Sequence, residues 1–248
     1  MKNQAFFRFY AELNYFLPPG KKYINFTHSL KEKASIKDAI ETLGVPHTEV
    51  DLIIVNGEAV NFNYLVQDGD RISVYPLFKS IDISDVSLVH LPPLDEYKFV
   101  LDIHLGKLAN HLRLLGFDTL YRNDYADPEL ARISSEENRF LLTRDRPLLK
   151  RSIVTYGYYV RSTNPDEQIL EVLHRFNLFN QIKQGIRCTS CNGLLKSVDK
   201  QEILHRLEPL TKQYYNEFYL CQSCDKIYWP GSHYQHIQHF IQNKLKLI

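Results

Sequence analysis

The chain has 248 residues, 44% of them hydrophobic and 24% charged, with a formal net charge of +1. The proportions are those of an ordinary water-exposed globular protein, long enough for one to three domains. No apolar run approaches the roughly 20 residues that span a bilayer, and the opening MKNQAFFRFYAELNYF lacks a long apolar core followed by a small-residue cleavage site. The expectation is a cytoplasmic protein with no membrane partner.

Charge is unevenly placed. Residues 1–80 balance, residues 81–150 carry a net −3, and residues 151–248 a net +4. An acidic middle beside a basic end fits cation binding next to polyanion binding. Scattered solvated charge gives differences of the same size.

Ala5 to Leu13 is rich in strand formers, and Pro18-Pro19-Gly20 makes a turn. A second extended run is expected around Tyr23 to Thr27. Ser35 to Leu43 predicts a short helix capped by Ser35, with Asp38 three residues on and Ile36, Ile40 and Leu43 on one face. Gly44 ends it and Pro46 blocks continuation. Asn56-Gly57 between apolar runs is the dipeptide of a type I′ hairpin, since both positions take φ > 0. Gln67 to Asp70 turns again, and Arg71 to Leu77 alternates as a closing strand.

This ββαββ order resembles the ubiquitin-like β-grasp fold, and the VNG hairpin with its closing DGDRISVYP resembles small sulfur-carrier proteins. Those carriers end in an activated Gly-Gly. Here the strand runs on through Leu77 to Asp82 without one, so the resemblance implies an interaction or structural module with a possible protein partner, not carrier chemistry. A stiff linker from roughly Ser80 to Tyr97, containing Leu91-Pro92-Pro93-Leu94, marks the boundary.

Lys98 to Leu101 reads as a buried strand followed by Asp102. Leu105, Leu108, Leu112 and Leu115 follow at helical spacing, closed by Gly116. Phe117 to Tyr121 predicts a second strand, Asp127-Pro128 a helix start running to about Glu137, and Arg139 to Thr143 a third strand before Arg144-Asp145-Arg146. Strands alternating with helices imply a parallel sheet with ligands at its carboxyl edge. Asp102, Asp127 and Asp145 could converge there, with Asp124 and Glu129 as neighbours. Clustered oxygen ligands suit hard cations such as Mg²⁺ or Mn²⁺. Each carboxylate alone reads more readily as a cap or turn former, and the joint pattern is stronger than any member. Asp118, at the start of its strand, is placed away from the edge.

The segments "LDIHLGKLANHLRLLGFDTLY", D-x-E-L and "RFLLTRDR" resemble the Mut-seven C-terminal RNase family, a branch of the PIN-like nucleases. The resemblance runs from about Tyr97 to Gln242, and the ubiquitin-like region ahead of it matches a partner domain seen in bacterial members. It implies an RNA-cleaving hydrolase dependent on Mg²⁺ or Mn²⁺. Asp102, Asp127 and Asp145 would be catalytic metal ligands with Glu129 beside them, and Arg144, Arg146 and Lys107 would contact RNA phosphates. A fourth acidic position, common in PIN domains, has no match after Asp145. A non-catalytic RNA- or ribosome-associated adaptor, or a protein-interaction module built on the β-grasp surface, are the alternatives.

Cys188/Cys191 and Cys221/Cys224 form two C-x-x-C pairs separated by 30 positions. Two residues between thiolates let both point at one tetrahedral ion, and four thiolates leave no open position, so a structural zinc is expected. Asn192-Gly193 allows the tight turn. Tyr214, Tyr215, Phe218, Tyr219, Tyr228 and Trp229 crowd the second pair, either as a small core or as a surface that stacks unpaired bases. Lys183, Arg187, Lys196, Lys200, Arg206 and Lys212 would add phosphate contacts. His233, His236 and His239 are spare candidate ligands, read first as surface or interface residues along one face of an expected C-terminal helix. The predicted whole is α/β: a β-grasp over 1–80, a PIN-like parallel-sheet domain over 97–183, and a zinc ribbon with the C-terminal helix over 184–248.

Overall fold

The computed structural model describes residues 4–30, 34–78, 81–92 and 94–231; the expected C-terminal helix with His233, His236 and His239 lies outside them. In chain order the strands are β1 (Gln4–Phe9), β2 (Phe26–Ser29), β3 (Leu52–Val55), β4 (Glu58–Ala59), β5 (Arg71–Tyr75), β6 (Lys98–Leu101), β7 (Asp118–Leu120), β8 (Phe140–Thr143), β9 (Gly157–Tyr159), β10 (Leu195–Val198), β11 (Phe218–Cys221) and β12 (Ile227–Tyr228). The α-helices are α1 (Ile36–Thr42), α2 (Gly106–Leu114), α3 (Asp127–Glu136), α4 (Arg146–Leu149), α5 (Pro165–Arg175), α6 (Lys200–Ile203) and α7 (Pro209–Tyr214). Two compact units result: the chain up to Glu96 with Ala126–Tyr159, and Tyr97–Tyr125 with the chain from Val160 onward.

The first unit holds the β-grasp sheet, in the order β2-β1-β5-β3-β4. β1 alternates, so Ala5, Phe7 and Phe9 point into the core. It lies parallel to β5 and antiparallel to β2. Ser35 caps α1 by accepting the Asp38 N–H at 3.1 Å, and Ile36, Ala39 and Ile40 bury its inner face. Asn56 and Gly57 take φ of 52° and 98°, the left-handed pair the hairpin requires. The expected second strand is displaced: Tyr23 sits at φ 61°, held by donation from its N–H to Asn14 Oδ1 at 2.7 Å, so pairing starts only at Phe26. The linker is tethered rather than extended over its first part. Ile83 and Val89 are buried, and Ser87 Oγ donates to the Asp51 carbonyl while His90 Nδ1 lies 2.7 Å from Asp51 Oδ1.

The same unit contains α3-β8-α4-β9, with β8 and β9 parallel. Several contacts fasten this stretch to the β-grasp. His47 Nε2 lies 2.9 Å from the Val154 carbonyl and Nδ1 2.7 Å from Glu41. Buried Glu49 accepts the Tyr159 N–H at 2.7 Å. Lys150 Nζ donates to the Glu41 carbonyl at 2.6 Å. Arg146 donates to the Phe16 carbonyl at 3.2 Å and lies over the rings of Tyr15, Phe16 and Tyr159.

In the second unit β6 and β7 pair in parallel, and α2 packs on β7 and α5. Leu105, Leu108, Leu112 and Leu115 are buried as their spacing requires. Gly116 has φ 94°, and a Cβ there would meet the Lys183 carbonyl oxygen. The antiparallel sheet β10-β11-β12 follows, with α6 and α7 inserted between its first two strands. Among the described residues no helix is long and apolar enough to cross a membrane.

Candidate metal centre and acidic residues

The two C-x-x-C turns bring four sulfurs together. Cys188 Sγ lies 3.6 Å from Cys224 Sγ and Cys191 Sγ 3.4 Å from Cys221 Sγ, and all four lie within 4.8 Å of one another. A regular tetrahedron with metal–sulfur bonds of about 2.3 Å sets its sulfurs about 3.8 Å apart, so the donor set fits zinc. Each turn closes on a left-handed residue directly after its second cysteine, Asn192 at φ 71° and Asp225 at φ 59°. Backbone N–H groups of Cys191, Ser223 and Cys224 point at sulfur.

Electrostatics separate Cys188 from Cys191. Burial resists ionisation of Cys188, yet hydrogen bonds from Tyr228, Cys191 and Cys224 outweigh it and bring the thiol down to about 6. At Cys191 burial leads, neighbouring thiols add to it, and the thiol is pushed up to about 12. The Tyr228 hydroxyl, 3.0 Å from Cys188 Sγ, is the orienting group beside the donor set.

The cysteine knuckle is bound to the α/β body by residues that periodicity does not reveal. Buried Arg113 of α2 donates to the carbonyls of Thr189 and Ser190 at 3.0 and 3.1 Å, and to Thr119. Asn192 accepts the Thr119 N–H and donates to Asp118. Arg187 reaches the Gly116 carbonyl and pairs with Asp118. Asp118 therefore supports the knuckle. The only available sequence signal for Arg113 was its place on a leucine-spaced helix, one residue after Leu112.

The crowded aromatics differ in placement, and Trp229 meets the rings of Tyr215 and Phe218. Phe218 forms a small core with Ile203 and Leu207, against which Tyr215 packs. Tyr214 is exposed. Tyr219, Tyr228 and Trp229 line a cavity.

The acids are placed as follows. Asp102 directly follows β6, is buried, and its Oδ1 accepts the Ile103 N–H at 2.6 Å. Asp145 lies two residues beyond β8, at the start of α4, and its N–H donates to Thr143 Oγ1 at 2.8 Å. Asp127 and Glu129 occupy the first turn of α3, where the helix dipole favours negative charge. Asp124 is exposed and paired with Arg122. Of the expected phosphate contacts, Arg146 is engaged by aromatic rings, Arg144 is half-buried beside it, and Lys107 stands exposed on α2.

Parallel strand pairs with helices between them, joined to a β-grasp and a four-cysteine centre, define the class: an α/β protein with a ubiquitin-like module. The profile of the Mut7-C RNAse domain matches residues 97–241, and that of Mut7-C ubiquitin matches residues 2–82. The chain belongs to the Mut7-C RNAse domain family, which supports a nuclease-type function. Two crystal structures of small archaeal modifier protein 1 from Haloferax volcanii are similar to its N-terminal part. One is 17% identical, covering 30% of this chain and 97% of that one, with a TM-score of 0.25. The other is 16% identical, covering 31% and 98%, also with a TM-score of 0.25. A search of curated proteins gave no match.

Proposed function

We propose that the protein is a metal-dependent ribonuclease that hydrolyses RNA phosphodiester bonds in the cytoplasm. The single observation that carries this is the RNase family match over residues 97–241, which encloses Asp102, Asp127, Glu129 and Asp145. Carboxylate oxygens are the donors a hard divalent ion takes. Bound there, Mg²⁺ or Mn²⁺ would supply charge neutralisation at the phosphate and a nucleophile at neutral pH.

The chain's own groups have separate tasks in this reading. Asp102, Asp127 and Asp145 hold the ion, and Glu129 assists from the same helical turn as Asp127. Arg144 and Lys107 bind phosphate oxygens. Arg146 is given a positioning task, since its guanidinium is engaged by Tyr15, Phe16 and Tyr159 and it adjoins Asp145. The four cysteines hold a structural zinc.

Purified protein incubated with Mn²⁺ and end-labelled RNA tests the proposal. Asp102→Asn and Asp145→Asn should each slow cleavage by more than the ~10–100-fold typical of residues that merely orient a metal ligand. Cleavage unaffected by either change rejects the assignment.

A further inference from the structure

We infer that the cavity between α2 and the three-stranded cysteine sheet is a binding site for an unpaired nucleobase of single-stranded RNA. The cavity measures about 850 Å³, within the ~300–1,000 Å³ of small-ligand sites. Its walls combine the three kinds of group that base recognition uses. Tyr219, Tyr228 and Trp229 give aromatic faces, Asn110 and Gln184 give amide donors and acceptors, and Lys107 gives a cation for phosphate, with the exposed carboxylate of Glu217 also at the rim of the lining.

The aromatic wall is built rigidly. Tyr219 and Tyr228 are direct cross-strand partners on β11 and β12, so their rings leave the sheet on the same side. Tyr228 is fixed at its far end, where its hydroxyl meets Cys188 Sγ at 3.0 Å and Thr189 Oγ1 at 3.3 Å. A pre-set ring loses little freedom on binding, which favours stacking. On the facing wall Lys107 and Asn110 are both exposed, and a spacing of three places them on one side of α2. Arg187 also lines the cavity, but its guanidinium is engaged by Gly116, Asn192 and Asp118, leaving Lys107 as the phosphate contact.

RNA is the occupant this chemistry selects. Every base offers a π-face, and stacking on aromatic side chains beside a cation is how single strands are held without a sequence requirement. The stretch from residue 151 onward carries a net +4, the sign a polyanion needs. The inference rests on the ribonuclease reading for its choice of ligand and names the part of the substrate the zinc-bearing sheet would hold.

Trp229 is the protein's one tryptophan and lines the cavity, so its emission reports occupancy. Full-length, zinc-loaded protein is titrated with a ten-nucleotide single-stranded RNA, without added Mg²⁺ or Mn²⁺ so that no cleavage intervenes. Saturable change in Trp229 emission is expected. Tyr219→Ala should weaken binding by about 5- to 150-fold, the equivalent of one stacked base, and Tyr219→Phe should restore it. If Tyr219→Ala fails to hold zinc, the double change Lys107→Ala/Asn110→Ala decides instead, with several-fold weaker binding expected. An unchanged emission, wild-type affinity in the deciding variant, or an equal response to duplex RNA overturns the inference. Cleavage without an emission response sinks the base site and spares the nuclease. An emission response without cleavage does the reverse.

Discussion

Arg113 donates from one nitrogen to the carbonyls of both residues inside the first cysteine turn, Thr189 and Ser190, at 3.0 and 3.1 Å. Burial pulls its pKa below the ordinary value, while the thiols of Cys188 and Cys191 counter that pull. A guanidinium presents five donors in one rigid plane, a geometry that an ammonium on a flexible stem does not reproduce. Arg113→Ala strands these carbonyls, so a loss of about 2–4 kcal/mol is expected, with weaker zinc retention. Arg113→Lys should recover less than half. Thermal unfolding together with zinc content checks both.

Zinc affinity should fall as pH falls, because each thiol must lose its proton to bind. Cys191, pushed up to about 12, is protonated at neutral pH and releases a proton on binding. Cys188, brought down to about 6, is already a thiolate above that value and contributes no release there. Acidification through pH 6 protonates it and steepens the dependence by one further proton. Competition against a chromophoric chelator between pH 5 and pH 8 reads the slope. A slope unchanged across pH 6 contradicts the assignment.

Gly116 lies at φ 94° with the Lys183 carbonyl where a Cβ would stand, and Lys183 N–H donates to the Leu115 carbonyl at 2.9 Å. Gly116→Ala therefore meets both backbone strain and a backbone clash. A loss of about 2–4 kcal/mol is expected, measurable by denaturant unfolding. Gly57→Ala, with nothing near its Cβ, should lose only about 1 kcal/mol from its φ of 98°.

Much of this was legible because the decisive signals are local. The Asn56-Gly57 hairpin, the Ser35 cap, the leucine spacing of α2 and its Gly116 stop, and the paired cysteines each occupy a few neighbouring residues. The strand-end positions of Asp102 and Asp145 followed from the same patterns. What escaped lies in long-range contacts between polar groups. Nothing in the neighbourhood of Arg113 announces carbonyls more than seventy residues away. The β9 strand, only Gly157–Tyr159, is too short to show a period. Tyr23 looked like strand because its tyrosine favours one, but Asn14 holds its backbone left-handed. The tie between Ser87 and Asp51 likewise made part of an apparent linker into structure.

Arg146 ties the turn carrying Asp145 to the β-grasp. Arg146→Ala removes the donation to Phe16 and the ring contacts with Tyr15, Phe16 and Tyr159. A loss of about 1–3 kcal/mol is expected. Arg146→Lys keeps the charge without the planar stack and should fall between the two. In a cleavage assay the alanine variant should lower the rate with RNA affinity nearly unchanged, as a positioning residue does. An affinity loss with an unchanged rate would instead make Arg146 a phosphate contact.

The central claim is that carboxylates from separate segments share one hard cation. Crystals soaked in Mn²⁺ and measured at an anomalous wavelength test it directly. The account predicts a peak bonded to both Asp102 and Asp145 at about 2.0–2.2 Å, lost on soaking crystals of Asp102→Asn. A well-ordered map with no manganese shared by these two residues would contradict it.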